Sequence, residues 1–95
     1  MNETTQQIQK LQSIIAGCKR ELQVLDTRGR NSISIIRSEL DLLNLDDDED
    51  LTNLNIESAI VEMNELTGTI DQMKQKKEKL ERAEKELKQI KKALG

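Results

Sequence analysis

The chain has 95 residues, of which 15 are basic and 18 acidic, so its formal net charge is −3. It contains no aromatic residue, no His and no Pro, and its one Cys is Cys18. Aromatic side chains provide the largest apolar surfaces of a globular core, and His, Cys and Tyr supply the common nucleophile and base pairs, so most enzyme classes are excluded. We expect no catalytic residue, no cofactor and no bound metal.

The cellular setting follows from the cysteine and from the lengths of the apolar runs. Cys18 has no second cysteine for an internal disulfide, and the N-terminal residues lack the pattern of a signal peptide, so we expect a cytoplasmic protein. The longest apolar runs have two or three residues, whereas a membrane span needs about 18. We expect the chain to stay in aqueous solution.

The first half of the chain has heptad spacing. Six apolar residues alternate three and four apart and predict an amphipathic helix over residues 4–27: Ile8, Leu11, Ile15, Cys18, Leu22 and Leu25. The next large apolar residue in phase, Ile33, follows Leu25 by eight residues, and Gly29 between them weakens a helix by about 1 kcal/mol relative to Ala. We therefore predict a break at 28–31 and a further helix at 32–45.

Five consecutive acidic residues at 46–50 predict a solvated turn, because their mutual repulsion opposes a helix interior. They lack the spacing of a calcium loop. Beyond them, one apolar residue recurs every seven and predicts a helix over 51–94: Ala59, Leu66, Met73, Leu80, Leu87 and Leu94. On this assignment the second core position holds Ile56, Met63, Ile70, Lys77, Glu84 and Lys91.

Two arrangements of these helices compete, an antiparallel hairpin within one chain and a parallel dimer. The parallel dimer would stack Lys77, Glu84 and Lys91 each on its own copy, which favours the hairpin. In the hairpin, the numbers of two facing core residues sum to 95 in the outer part and to 99 near the turn. The two registers differ by four residues, so about one helical turn near 28–31 must loop out. We predict an all-α fold, a single coiled-coil domain over 1–95. It is a long antiparallel hairpin interrupted near 27–31 that assembles into a helical bundle.

The preferred function is non-enzymatic protein interaction. Residues 33–45 carry more apolar side chains than one seam uses, which is typical of a helix covered by more than one neighbour. The partner is a second copy, as a homodimer or higher bundle, or another coiled-coil subunit, in the role of a scaffold, adaptor or assembly factor. No small-molecule substrate is expected, and a clamp for unassembled helices stays open. The predicted contact set is Ile33, Ile35, Ile36, Leu40, Leu42, Ile56, Ile60 and Met63.

The alternative function is electrostatic binding of nucleic acid or anionic membrane through the basic residues 74–92. Its candidate anion contacts are Lys74, Lys76, Lys77 and Lys79. Glutamates interleave this stretch, no aromatic residue is available to stack on bases, and the whole chain is acidic, so a solvated helix face is favoured. Cys18 on the heptad seam is interpreted as a small apolar residue rather than a redox centre.

Overall fold

Two long helices fold back on each other in a computed structural model that describes residues 3–43 and 50–95. Helix α1 spans Glu3–Leu43, a short 3-10 helix spans Leu51–Asn53, and helix α2 spans Glu57–Leu94. The two long helices pack along their length, and the molecule measures 73 × 16 × 15 Å. The predicted all-α antiparallel hairpin is therefore confirmed.

Helix α1 is continuous, so the break predicted at 28–31 is wrong. Gly29 and Ser32 are buried, and they continue the alternation of three and four residues that runs through Leu11, Cys18 and Leu25. The prediction failed because it followed only large apolar residues, whereas the core positions at this level hold small ones. The packing of a 41-residue helix outweighs the unfavourable helix propensity of one glycine.

One register holds along the hairpin, which removes the predicted shift between the registers of 95 and 99. A Cβ atom built on Gly29 would lie 3.6 Å from Leu66 Cδ1 and 3.8 Å from Thr69 Cγ2. Near the open end, Gln7 Nε2 donates a hydrogen bond to Glu86 Oε1 at 3.4 Å. Helix α1 thus runs through residues 28–31 in contact with α2, and no turn loops out.

The face that α2 turns toward α1 is rotated from the predicted one. The positions of Ala59 and Leu66 are confirmed, but the second core position holds Thr69 and Ala83, which are buried. The predicted second set is exposed, from Ile56 to Lys91, and Leu94 is exposed as well. Small side chains at the contact let the two helices approach closely, and the larger ones move to the side of the seam.

The start of α2 also differs from the prediction, which placed it at residue 51. Asp50 Oδ1 accepts hydrogen bonds from the backbone N–H of Thr52 at 3.0 Å and from its hydroxyl at 2.7 Å. The Asn55 side chain accepts from the Glu57 N–H at 3.0 Å and begins α2 six residues later. Of the predicted acidic turn 46–50, residues 46–49 lie outside the described part, as do residues 44 and 45 of the helix predicted at 32–45.

The seam between the helices changes character along the hairpin. We call residues 29–43 and 50–69 the turn half and residues 3–28 and 70–95 the open half. In the open half, the covered positions are mostly large and apolar, such as Leu11, Leu25 and Leu87. In the turn half, Ile36, Leu43, Leu54 and Leu66 are half-buried, and the other covered positions hold small or acidic residues: Gly29, Ser32, Glu39, Ala59, Glu62 and Thr69. The turn half therefore covers fewer large apolar side chains between its own two helices.

No helix in the described part of the chain combines the length and the apolar character required to cross a membrane.

Candidate partner-binding surface

Large apolar side chains line one side of the hairpin instead of its seam. We call this set the apolar stripe; its members are 39–45% exposed and are Ile33, Leu40, Ile56, Met63 and Ile70. On each helix the members are seven residues apart, so they keep to one face. The three residues from α2 span about 21 Å at 1.5 Å per residue. The stripe is a continuous apolar surface that the chain itself leaves partly uncovered.

Shallow grooves between the helices show that the two rows of the stripe lie on the same side. One groove is lined by Gly29, Ile33, Leu66 and Ile70, together with Asp26, Arg30 and Met73. A neighbouring groove shares Asp26, Ile70 and Met73 and continues to Lys19 and Lys77. The stripe therefore runs along the edge of the seam and ends, toward the open half, at two lysines.

The structure divides the predicted contact set. Four of its members, Ile33, Leu40, Ile56 and Met63, belong to the stripe. Ile36 is half-buried in the seam, and Ile60 is 44% exposed on the outer side of α2. Ile35 and Leu42 are exposed along the opposite edge, where Arg28, seven residues before Ile35, lines another groove. One surface can therefore use only half of the predicted set.

Ile70 is the residue of the stripe that the sequence analysis did not assign to the surface. It had been placed in the seam, but its side chain is 41% exposed. The signal was present, because Ile70 follows Met63 by one heptad and Lys77 follows at the next. A row that changes from isoleucine to lysine is typical of a position at the edge of the seam rather than inside it.

A polar pair crosses the seam in the open half. Lys76 is half-buried at a seam position, and its ammonium group forms a salt bridge with the Glu21 carboxylate. The hydrogen bond from Lys76 and its charge hold the pKa of Glu21 below the usual value, and the same bond raises the pKa of Lys76. The pair gives the partly buried Lys76 ammonium group an opposite charge across the seam.

The four candidate anion contacts do not form one patch. Lys76 is occupied by Glu21, while Lys74 and Lys77 line the groove beside Ile70 together with Lys19. Lys79 is exposed and five residues from Lys74, which separates the two by about 140° around a helix. Of the four lysines, only Lys74 and Lys77 therefore share a face.

Charge is distributed unevenly between the two halves of the hairpin. In the described part, the turn half has six acidic and two basic side chains, a net charge of −4. The open half has eight acidic and thirteen basic side chains, a net charge of +5. Asp50 lies beyond the Ile56 end of the stripe, and Lys19 and Lys77 lie beyond its Ile70 end.

Two further candidate chemistries receive no support from the structure. Within residues 3–43 and 50–95, no three His, Cys, Asp or Glu side chains form a group that could hold a metal ion. Cys18 is 3% exposed in the seam, where its thiol packs as the small apolar residue that its heptad position predicts.

The chain was compared with protein-family models, with curated proteins and with solved structures, and none of them matches it.

Proposed function

We propose that the chain is a non-enzymatic interaction module that binds a helical partner along its apolar stripe. It would act as a scaffold, adaptor or assembly subunit built on coiled-coil packing. The proposed mode is helix-to-groove packing, in which apolar side chains repeating every seven residues insert beside those of the partner.

The observation that carries the proposal is the contrast between the seam and the stripe. The turn half places Gly29, Ser32 and Thr69 between its helices and leaves Ile33 and Met63 at the side. Burying such a side chain fully contributes about 1.5–3 kcal/mol relative to leaving it exposed. The stripe side chains are 39–45% exposed, so a partner that covers them would add part of that free energy at each position. Helices with apolar core and edge positions are typical of bundles with more than two helices.

The test compares two double variants with matched chemistry. Ile33→Gln with Met63→Gln removes the centre of the stripe, while Val24→Gln with Val61→Gln changes two valines, 58% and 59% exposed, on other faces. The mass of each tagged chain is measured by sedimentation, purified and in extracts of the cells that produce it. Helicity is followed by circular dichroism to show that each variant stays folded.

We expect the wild-type chain and the valine variant to sediment in an assembly larger than the 10.9 kDa monomer. The stripe variant should sediment as a helical monomer. A stripe variant that keeps the wild-type assembly would overturn the proposal, as would a wild-type chain that is monomeric both purified and in extract.

We place the module in the cytoplasm. The support for this is the single, buried thiol of Cys18, since a reducing compartment keeps such a thiol unoxidised.

A further inference from the structure

We infer that the partner of the apolar stripe is a second copy of this chain, packed antiparallel so that the two Met63 side chains meet at a two-fold axis. The product would be a four-helix bundle over the turn halves, with the open halves extending in opposite directions. This inference rests on the proposed function, because it names the occupant of the same surface.

The α2 row of the stripe matches its own reverse. On α2, Met63 lies midway between Ile56 and Ile70, seven residues from each. Rotation about an axis through Met63 therefore places Ile56 of one copy level with Ile70 of the other. On α1 the same axis passes near Ile33. Gly29 lies opposite Leu66, and because the helices are antiparallel, Ile33 is then level with residues 62 and 63. Such self-complementarity is what an isologous dimer interface requires.

The charges at the two ends of the stripe match in the same arrangement. Asp50 lies beyond the Ile56 end, and Lys19 and Lys77 lie beyond the Ile70 end, all exposed. The antiparallel rotation brings Asp50 of each copy close to the level of Lys77 of the other. Opposite charges placed across an interface select the partner and the orientation.

A parallel dimer through the same stripe is disfavoured by these charges. It would gather Lys19 and Lys77 of both copies at one level. Like charges placed opposite each other suppress an arrangement.

A cross-linking experiment tests the orientation directly. In a Cys18→Ala background, Met63→Cys puts a thiol at the proposed axis, and Asn64→Cys puts one on an exposed neighbouring position that points away from it. Each purified variant is treated with a short bifunctional thiol reagent, and the mass of the untreated protein is measured by sedimentation. A mixture of Ile33→Cys and Met63→Cys chains reports the parallel arrangement.

The expected result is a dimer of twice the 10.9 kDa chain mass that cross-links efficiently through Met63→Cys and at least tenfold less through Asn64→Cys. A dimer that links only in the Ile33→Cys and Met63→Cys mixture would overturn the antiparallel arrangement. A purified monomer would overturn the second copy as occupant. If that monomer still enters an assembly in extract through the stripe, the proposed function stands and the partner is a different chain.

Two sets of substitutions give an independent readout of the same register. Lys19→Glu with Lys77→Glu should raise the dimer dissociation constant by about tenfold, because it turns the end contacts repulsive. The control, Lys79→Glu with Lys92→Glu, has the same charge change at exposed positions of α2 that do not line the groove of Lys19 and Lys77. Asp26→Leu should tighten the dimer, because the rotation places residue 26 level with Leu40 of the second copy. A weaker or unchanged dimer in Asp26→Leu would contradict the register.

Discussion

Individual residues at the seam decide how close the two helices come. Gly29 is the clearest case, because the nearest atoms to an added Cβ are side-chain carbons of Leu66 and Thr69 at 3.6 and 3.8 Å. These are ordinary van der Waals distances, so a methyl group fits without moving either neighbour. Thr69 satisfies its own hydroxyl by donating to the Glu65 carbonyl at 3.0 Å, which leaves its methyl group for the contact.

Gly29→Ala should stabilise the hairpin by about 1 kcal/mol or slightly more, from helix propensity and added seam contact. Gly68→Ala is the matched control, because Gly68 is exposed in α2 and an added Cβ there meets no atom within 4 Å. Thermal unfolding followed by circular dichroism measures both variants. A destabilised Gly29→Ala would mean that the helices pack more tightly at this level than the structure shows.

The Glu21–Lys76 salt bridge predicts a pH dependence of stability. The folded-state pKa of Glu21 lies below its usual value, so the pair stabilises the fold at neutral pH. That contribution is lost as the pH falls from about 4.5 through the lowered pKa of Glu21. The raised pKa of Lys76 has the opposite sign: its contribution is present below about 10.5 and is lost as the pH rises through the raised value.

Glu21→Gln should therefore lower the melting temperature at neutral pH. It should also make the melting temperature decrease less steeply as the pH falls below about 4.5. A double-mutant cycle with Lys76→Gln makes the comparison, because Glu21→Gln should not change the melting temperature further once Lys76 is replaced. If the melting temperature of Glu21→Gln decreased with falling pH as steeply as that of the wild type, Glu21 and Lys76 would not be the pair responsible.

Each helix carries two apolar rows that face in different directions. The seam row joins α1 to α2, and the stripe row faces sideways over the turn half. The 3-10 helix Leu51–Asn53 and the hydrogen bond from the Glu57 N–H to the Asn55 side chain precede α2, which starts at Glu57. Both rows keep a seven-residue period, so the period alone does not say which row is buried. The rotation of each helix about its own axis decides which row faces the other helix.

The uneven seam predicts uneven protection of backbone amides. In dilute monomer, hydrogen exchange should be slower in the open half, where Leu11, Leu25 and Leu87 lie in the seam, than in the turn half around Gly29 and Ala59. Protection of the turn half should rise with protein concentration as the stripe is covered. Uniform protection at all concentrations would indicate that the seam alone holds both halves together.

The whole molecule is a rod with charge of opposite sign in its two halves. It is 73 Å long and about 16 Å wide, so its two helices cannot bury side chains on all faces. The apolar stripe and the unequal charges both lie along this rod, and together they favour an antiparallel assembly. Raising the salt concentration should weaken the orientation preference more than the apolar contact, because screening acts on the exposed charges.

This screening is measured by the cross-linking yield of Met63→Cys at low and high salt, with the dimer mass measured in parallel. We expect the Lys19→Glu and Lys77→Glu variant to regain part of its lost dimer affinity at high salt, because salt screens the repulsion between its end contacts. An affinity in this variant that is independent of salt would mean that the lysines do not face the acidic end of the second copy.

The sequence by itself determined the class of the fold. The absence of aromatic residues and the seven-residue recurrence from Ala59 to Leu87 left long helices as the only efficient way to bury Leu and Ile, and the buried charges of a parallel dimer favoured the hairpin. The predicted contact set also located the apolar excess in the correct half of the hairpin, because composition alone shows where apolar residues exceed what one seam can cover.

Only the tertiary structure decided which row of each helix is the seam. Gly29, Ser32 and Thr69 have no apolar signature in a pattern search, yet they are the buried positions, because two helices approach most closely where side chains are small. Their burial joins the two predicted segments into α1, restores one register, and moves Met63 and Ile70 from the core to the surface. The exposure of the apolar stripe is therefore a consequence of interhelical distance, which a heptad pattern does not encode.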